Sequence, residues 1–153
     1  MKLNLGCGHD IQQAEDWINL DIVGLPGVQV VHNLVFMPYP FADNQFEYIA
    51  CYDVIEHLPP YSPDWKPMIP AFITEMYRIL QPGGTLLIRT PGHNAAFGWT
   101  DPTHVRLFTK ESMDFFDKTS DFGKATGFYS DVDFRVKAHE TENGNLEFTM
   151  VKT

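Results

Sequence analysis

Two glycines and an aspartate near the start of the chain have the types and spacing needed to hold a nucleoside. Residues 2–5 form an apolar segment that predicts a short strand, and Gly6 and Gly8 follow it directly. Glycine is needed where a backbone bends sharply or where a ligand approaches it closely. Asp21 ends the next apolar segment, and a carboxylate there can accept hydrogen bonds from both hydroxyl groups of a ribose. Each feature alone is equally typical of an ordinary turn.

The same spacing argues against a dinucleotide. The dinucleotide fingerprint requires a third glycine, whose position is held here by Ile11, and an acid about 20 residues after the loop. Asp21 follows Gly8 too closely for a full crossover helix to begin at the loop and bind a pyrophosphate. A ligand without phosphates therefore fits better, and a nucleotide-dependent oxidoreductase is disfavoured.

Two asparagines offer further polar groups near this predicted site. Asn33 follows the third predicted strand, where it could pair with an adenine edge or cap a turn. Asn4 lies within an otherwise apolar strand, and a buried amide needs hydrogen-bond partners. The glycine loop could supply those partners, so Asn4 is either a ligand-side residue or a structural amide.

Two histidines are candidates for proton transfer. His57 follows the fourth predicted strand, and His104 follows the fifth, with Asp101 close enough in sequence to orient it. Histidine exchanges protons near neutral pH, although either residue could instead be structural. A metal site that combines these three residues with His93 and Asp53 would match no ligand spacing of known metal motifs, so no metal is expected.

The elements that must position these residues are five strands and one clear helix. Apolar runs predict the strands at residues 2–5, 17–20, 28–31, 46–51 and 85–89. The helix is predicted at residues 71–80, where apolar side chains recur on one face, and Gln81-Pro-Gly-Gly84 ends it. A helical turn is predicted at residues 54–58, and a second helix from an N-cap at Thr109 to about Asp117.

The end of the chain has a different pattern. Apolar and polar residues alternate over residues 134–139 and again over 146–150, and Asn143-Gly144 between them is a strong hairpin signal. We therefore predict an α/β domain: a three-layer, doubly wound, mostly parallel sheet with an antiparallel C-terminal hairpin. Ligands bind such sheets beyond the carboxyl ends of the strands, where the strand order reverses.

Composition limits the classes of partner. The chain has 153 residues, which predicts one domain, and a formal net charge of −9. That charge disfavours a nucleic-acid or anionic membrane surface. The sequence contains no apolar run of membrane-spanning length, no signal-peptide pattern and only two cysteines, so we expect a cytoplasmic protein with free thiols.

Four blocks of sequence carry a resemblance to a known family. They are Leu-Asn-Leu-Gly-Cys-Gly at 3–8, Trp-Ile-Asn-Leu-Asp at 17–21, a block at 40–58 that ends in Asp-Val-Ile-Glu-His-Leu, and Glu-Met-Tyr-Arg-Ile-Leu-Gln-Pro-Gly-Gly-Thr-Leu at 75–86. In this order the chain resembles the class I S-adenosylmethionine-dependent methyltransferases, in particular the methyltransferase-11-like group. The resemblance implies a Rossmann-like methyltransferase fold with S-adenosylmethionine as cofactor.

The resemblance also implies roles for individual residues. The methionine part of the cofactor would lie over the glycine loop, the ribose on Asp21 and the residue after it, the adenine between two residues that follow strand three, and the methyl group beside the end of strand four. With Asn4, the implied cofactor-binding set is Gly6, Cys7, Gly8, Asp21, Ile22, Asn33, Leu34, Cys51 and Tyr52.

The chain departs from the family pattern in four places. Asn4 stands where the family often has an acid at the end of strand one, and Asn33 stands where the family often has the acid that meets adenine. Asp10 stands where the family's G-x-G-x-G pattern has its last glycine. The leading helix that covers the cofactor in larger members has no counterpart, so we expect a single methyltransferase-like domain over 1–153 without an N-terminal lid helix. Either the site is open, or an oligomer or another partner closes it.

The resemblance implies methyl transfer, and we expect a small-molecule or saccharide acceptor. His104 and His57 are the candidate catalytic residues. Five aromatic residues could line the acceptor pocket or belong to the core: Tyr61, Trp65, Phe97, Trp99 and Phe108. The alternative is an S-adenosylmethionine-binding module or partner subunit without catalysis of its own.

Overall fold

The computed structural model describes all residues, 1–153, and builds them around one seven-stranded sheet. The strands are β1 (Lys2–Leu5), β2 (Trp17–Asp21), β3 (Val30–Val31), β4 (Phe46–Tyr52), β5 (Leu80–Pro91), β6 (Phe134–Glu140) and β7 (Asn145–Lys152). The α-helices are α1 (Met68–Ile79) and α2 (Asp121–Thr126), and 3-10 helices form at Ile55–His57, Ala96–Trp99, Asp114–Phe116 and Gly127–Tyr129. No helix has the length and apolar character needed to cross a membrane.

The strand order is β3-β2-β1-β4-β5-β7-β6. Strands β1 to β5 pair in parallel, whereas β7 is antiparallel to both β5 and β6. The predicted mostly parallel sheet with an antiparallel C-terminal hairpin is therefore confirmed. The chain runs outward from β1 to β3 and then returns to place β4 on the other side of β1. The carboxyl ends of β1 and β4 thus form the point of reversal where ligands bind in such sheets.

The core lies on one face of the sheet. Leu3, Leu5 and Ile49 point from the central strands toward α1, whose Phe72 and Met76 are fully buried against them. A single cluster of 27 buried apolar residues joins this face to α1 and to the loops beside it. The sheet and α1 therefore hold the strand ends as one rigid platform for the site.

The opposite face of the sheet has no covering helix. The connections at residues 6–16 and 22–29 contain no helix, because they are too short for the usual crossover helix. Trp17, Tyr48 and Leu87 consequently remain partly exposed on this uncovered face. A three-layer arrangement has a helical layer on each face of the sheet. In this structure the layer on the face that packs against α1 is present, and the connections on the opposite face contain no helix.

Two helix predictions needed correction. Helix α1 begins at Met68 instead of Ala71, because proline is tolerated in the first helical turn and Pro70 falls there. The predicted helix over 109–117 is wrong: these residues form turns and the 3-10 helix Asp114–Phe116. Asp117 directly follows this 3-10 helix, and its carboxylate accepts hydrogen bonds from Thr119 and Val136, which lie outside the predicted helix.

Hydrogen bonds to Asp117 connect the C-terminal hairpin to the 3-10 helix Asp114–Phe116. Its Oδ2 accepts a hydrogen bond from Val136 N of β6 at 2.9 Å, and its Oδ1 accepts one from Thr119 N at 2.8 Å. Burial alone raises the pKa of Asp117, but hydrogen bonds from Thr119 and Val136 outweigh burial and leave the pKa below its ordinary value. The folded state therefore favours the ionised carboxylate.

Asp117→Asn is expected to lower the free energy of unfolding by about 1–3 kcal/mol at pH 7. Because the pKa is lower in the folded state, the stabilisation is complete above the unfolded value of about 3.9 and is lost as the pH falls below it. The difference between variant and wild type in urea unfolding should therefore shrink from pH 7 to pH 3. The exposed Asp131→Asn serves as the control, and a difference that is independent of pH would contradict this account.

Candidate functional site

A cleft of about 300 Å³ opens at the carboxyl ends of the strands on either side of the reversal point. Twelve residues line it: Gly6, Leu20, Asp21, Ile22, Asn33, Leu34, Val35, Asp53, Val54, His57, Leu58 and Pro59. A larger groove of about 600 Å³ beside α1 shares only Val35 with the cleft and lies away from these strand ends. The cleft is therefore the candidate binding site, and five of the ten predicted cofactor residues line it.

The glycine loop forms the floor of the cleft. Gly6 and Gly8 have φ angles of +66° and +49°, a region that disfavours residues with a side chain. Gly6 N and Cys7 N both donate to Leu20 O, at 2.8 and 3.0 Å, so the loop folds over the end of β2. A Cβ atom at Gly6 would lie 2.4 Å from Val54 Cγ2, which also lines the cleft. Gly6 is thus required by both its backbone angle and its neighbour.

The Asp21 carboxylate is fixed by two backbone amides. Its Oδ2 accepts from Gly8 N at 2.8 Å, and its Oδ1 accepts from Val23 N at 2.9 Å. A carboxylate offers about four acceptor positions, so two remain for a ligand. Since Asp21 lines the cleft, these positions suit the paired hydroxyl groups of a ribose. The hydrogen bond from Gly8 N also links the glycine loop directly to the carboxylate that would bind the ribose.

The residues after β3 form the opposite wall. Asn33 Oδ1 accepts from Val35 N at 3.1 Å, whereas its Nδ2 donates no hydrogen bond within the protein. Leu34 is nearly buried, and Ile22 stands exposed at the rim. An amide donor between two aliphatic side chains suits the edge and faces of a purine ring. The donor set of the cleft thus fits the adenosine part of S-adenosylmethionine.

Asn4, Cys7 and Gly8 do not line the cleft but support it. The buried Asn4 donates from Nδ2 to Asp10 O at 2.6 Å and to Asn19 Oδ1 at 3.1 Å, which fixes the far end of the glycine loop. Cys7 is also buried, and burial raises the pKa of its thiol. Asn4 is accordingly placed as a structural amide.

Strand alternation keeps Cys51 and Tyr52 out of the cleft. Cys51 is fully buried in the core, and burial raises the pKa of its thiol. Tyr52 points to the uncovered face, where the Arg89 guanidinium lies 4.7 Å from the centre of its ring. Because β4 ends at Tyr52, the first residue that can turn into the cleft is Asp53, which has a φ of +56°. Asp53, which is outside the predicted set, therefore lines the cleft, and a role for Cys51 and Tyr52 beside the methyl group stays a prediction.

The other cleft residues outside the predicted set are Leu20, Val35, Val54, Leu58 and Pro59. Leu20 lies next to Asp21, and Val35 follows Leu34. The remaining three flank the 3-10 helix Ile55–His57. These two residues are therefore sequence neighbours of predicted cofactor-binding residues.

The two candidate histidines meet at the edge of the cleft. His57 lines the cleft, and the ring centres of His57 and His104 are 4.6 Å apart at an interplanar angle of 75°. His104 comes from the segment after β5, where its Nδ1 lies 2.7 Å from Gly98 O. His93 and Asp53 do not join this pair, and Asp53 instead forms an ion pair with Arg89.

Hydrogen bonds determine which ring nitrogen of each histidine carries the proton. Gly98 O can only accept, so His104 Nδ1 is the donor. Thr103 Oγ1 donates to Asp101 Oδ1 at 2.6 Å, and hydrogen bonds from Thr103 hold the pKa of Asp101 below its ordinary value. Thr103 Oγ1 must therefore accept from His57 Nδ1, at 2.9 Å. In the neutral form of each ring the lone pair is thus on Nε2, and Nε2 of His104 lies 3.7 Å from Asp101 Oδ2.

The predicted aromatic residues are divided between the core and the surface. Phe108 belongs to the core. Trp99 is 68% exposed and Trp65 is 82% exposed, and Trp65 packs against Tyr61 at a ring distance of 6.1 Å. Trp99 directly follows Gly98, the residue that holds His104. The exposed Trp99 is therefore next in sequence to the carbonyl group that accepts a hydrogen bond from His104.

Comparison with solved structures shows the same fold in known proteins. An S-adenosylmethionine-dependent methyltransferase from Archaeoglobus fulgidus matches with a TM-score of 0.67 at 14% identity, over 99% of this chain and 85% of that one. One from Aquifex aeolicus matches with a TM-score of 0.62 at 16% identity, over 99% and 81%. A putative methyltransferase in complex with the Trm112 methyltransferase activator from Haloferax volcanii gives 0.62 at 14%, also over 99% and 81%.

The sequence itself matches no curated protein. It does match the family model described as a methyltransferase domain, over residues 7–88. That match includes Cys7 and Gly8 of the glycine loop, Asp21 and the end of β4, and it covers more than half of the chain. The chain therefore belongs to this methyltransferase domain family and is a class I S-adenosylmethionine-dependent methyltransferase with S-adenosylmethionine as its cofactor.

Proposed function

We propose that this methyltransferase acts on a small-molecule or saccharide acceptor, and that residues 1–153 form one catalytic domain. The observation that carries the proposal is the position of the His57–His104 pair at the edge of the cleft, with the exposed Trp99 next in sequence to Gly98, whose carbonyl group accepts from His104. Exposed aromatic surface of this kind marks interaction sites, and an aromatic ring can pack against the apolar face of a sugar. The net charge of −9 argues against a polyanionic acceptor.

Different residues would bind the cofactor and act on the acceptor during methyl transfer. S-adenosylmethionine supplies a methyl group already activated on a sulfonium. Asp21 would hold the ribose, and the bend at Gly6 lets the backbone pass close to the methionine part. Alignment of the reacting groups can itself supply several kcal/mol. His104 Nδ1 is bound to Gly98 O, so its Nε2, which lies 3.7 Å from Asp101 Oδ2, would be the atom that takes a proton from an acceptor hydroxyl.

His104→Ala is expected to lower kcat by about 100-fold or more while leaving the Kd for S-adenosylmethionine within about twofold. The reason is that His104 lies on the acceptor side and does not line the cofactor cleft. Transfer of a radiolabelled methyl group to a responsive acceptor gives kcat, and calorimetry gives the Kd. The exposed His139→Ala on β6 is the matched control. Full turnover by His104→Ala would remove His104 from the mechanism.

The acceptor class is tested with labelled S-adenosylmethionine and a panel of hydroxylated small molecules, saccharides, RNA and protein. The proposal expects label on a small molecule or a saccharide. Label found only on RNA or protein would overturn it.

An alternative is a partner subunit that binds S-adenosylmethionine without independent catalysis. Two observations favour it: the uncovered sheet face that carries Trp17, Tyr48 and Leu87, and the Haloferax volcanii structure, which is a complex with a methyltransferase activator. This alternative expects cofactor binding with no methyl transfer to any acceptor until a partner protein is added. Transfer by the isolated chain would exclude it.

A further inference from the structure

We propose that Glu56, His57 and His104 bind one divalent transition-metal ion at the acceptor side of the cleft. One potential ligand atom from each of these residues lies within 4.8 Å of those from the other two. Glu56 and His57 come from the 3-10 helix after β4, and His104 comes from the segment after β5. The spacing along the sequence did not reveal the group because two distant segments supply it.

One carboxylate oxygen of Glu56 is buried without a hydrogen-bond partner, which lowers the stability of the fold. The residue is fully buried, and its Oε2 accepts a hydrogen bond from Thr90 Oγ1 at 2.9 Å. Its Oε1 is buried and has no hydrogen-bond partner. Buried polar atoms almost always have a partner, and an unpaired buried acceptor costs about 1–3 kcal/mol. A cation at Oε1 would remove that cost.

The two histidines are already held in the form that binds metal. His104 donates from Nδ1 to Gly98 O, and His57 donates from Nδ1 to Thr103 Oγ1. Metal-bound histidines generally donate their second ring N–H to a carbonyl or another acceptor, which fixes the tautomer and the ring orientation. In both residues this leaves Nε2 as the potential ligand.

The ligand set indicates the class of ion. Two imidazoles and one carboxylate suit Zn²⁺ and Fe²⁺, and sites with three protein ligands leave coordination positions open. Because His57 lines the cleft, an open position would face it. A cation there would take up the Nε2 lone pair of His104, so His104 would act as a ligand in place of a general base. The ion would then orient an acceptor oxygen and lower the pKa of a coordinated hydroxyl, whose proton would pass to solvent. This last role rests on the proposed function, whereas metal binding itself does not.

Binding is tested by calorimetric titration of Zn²⁺ into chelator-treated, metal-free protein, and by the visible absorption of added Co²⁺. We expect one ion per chain. Glu56→Gln and His104→Asn should each weaken Zn²⁺ binding by about 100-fold or more, and His139→Asn on β6 should leave it unchanged. Because Glu56 is buried, His57→Asn provides an exposed ligand variant whose folding is not at risk.

The absence of stoichiometric Zn²⁺ binding would overturn the proposal. So would equal Zn²⁺ affinity in wild type, His57→Asn and His104→Asn, or a loss in His139→Asn as large as in these variants. The Kd for S-adenosylmethionine and label transfer are measured on the same samples. Transfer to a small molecule without Zn²⁺ binding contradicts only the metal site, whereas stoichiometric Zn²⁺ binding with label on RNA or protein alone contradicts only the proposed acceptor.

Discussion

Asp21→Ala is expected to weaken S-adenosylmethionine binding by about 100- to 1,000-fold. The carboxylate has two acceptor positions left after Gly8 N and Val23 N are bound, and Asp21 lines the cleft. A hydrogen bond to a charged group contributes about 1.5–3 kcal/mol, so the loss of two costs about 3–4 kcal/mol if they are of the weaker kind. Since 1.4 kcal/mol corresponds to a tenfold change in Kd, the expected range follows.

Calorimetry with S-adenosylmethionine and S-adenosylhomocysteine measures this change. Asp16→Ala is the control, because Asp16 pairs with Lys2 outside the cleft. Asp21→Asn keeps one oxygen as an acceptor and separates the loss of charge from the loss of loop support, which thermal unfolding reports. An unchanged Kd in Asp21→Ala would show that this carboxylate does not hold the ribose.

The sheet could be predicted from the sequence because its strands are local apolar runs. Lys2–Leu5 and Trp17–Asp21 lie where the pattern placed them. Gly144, with a φ of +85°, forms the predicted hairpin turn. The strand ends then defined the cleft, since parallel strands bring their carboxyl ends to one edge. Residues that depend on this rule alone, such as Asp21 and Asn33, were found.

What could not be predicted depends on contacts between distant segments. Glu56 is joined to His104 only because β4 and β5 are neighbours, and no spacing along the chain encodes that distance. The side-chain direction of Cys51 depends on which face of β4 packs against α1. The segment after Thr109 has helical propensity, but its polar groups bond to one another and to β6. Tertiary hydrogen bonds therefore override the local preference.

Gly6→Ala is expected to destabilise the fold by about 2–5 kcal/mol and to reduce S-adenosylmethionine binding. A residue with a Cβ at a φ of +66° costs about 1–2 kcal/mol. The new atom would also lie 2.4 Å from Val54 Cγ2, and overpacking of this kind costs about 1–3 kcal/mol more. Relief of the contact requires a shift of the loop or of the Val54 side chain, and a shift of the loop also moves Gly8 N away from the carboxylate of Asp21.

Gly83→Ala is the matched control, because Gly83 has a φ of +75° and a Cβ added there would meet no atom within 4 Å. Gly83→Ala therefore has only the energetic cost of a side chain at a positive φ, and it should lower the free energy of unfolding by about 1–2 kcal/mol. Because Gly83 lies outside the cleft, the Kd for S-adenosylmethionine should not change. Urea unfolding of Gly6→Ala, Gly83→Ala and the double variant Gly6→Ala/Val54→Ala separates the two costs. If Gly6→Ala is no less stable than Gly83→Ala, the Val54 contact does not constrain the loop. If the double variant recovers part of the loss, the glycine is required by packing as well as by its backbone angle.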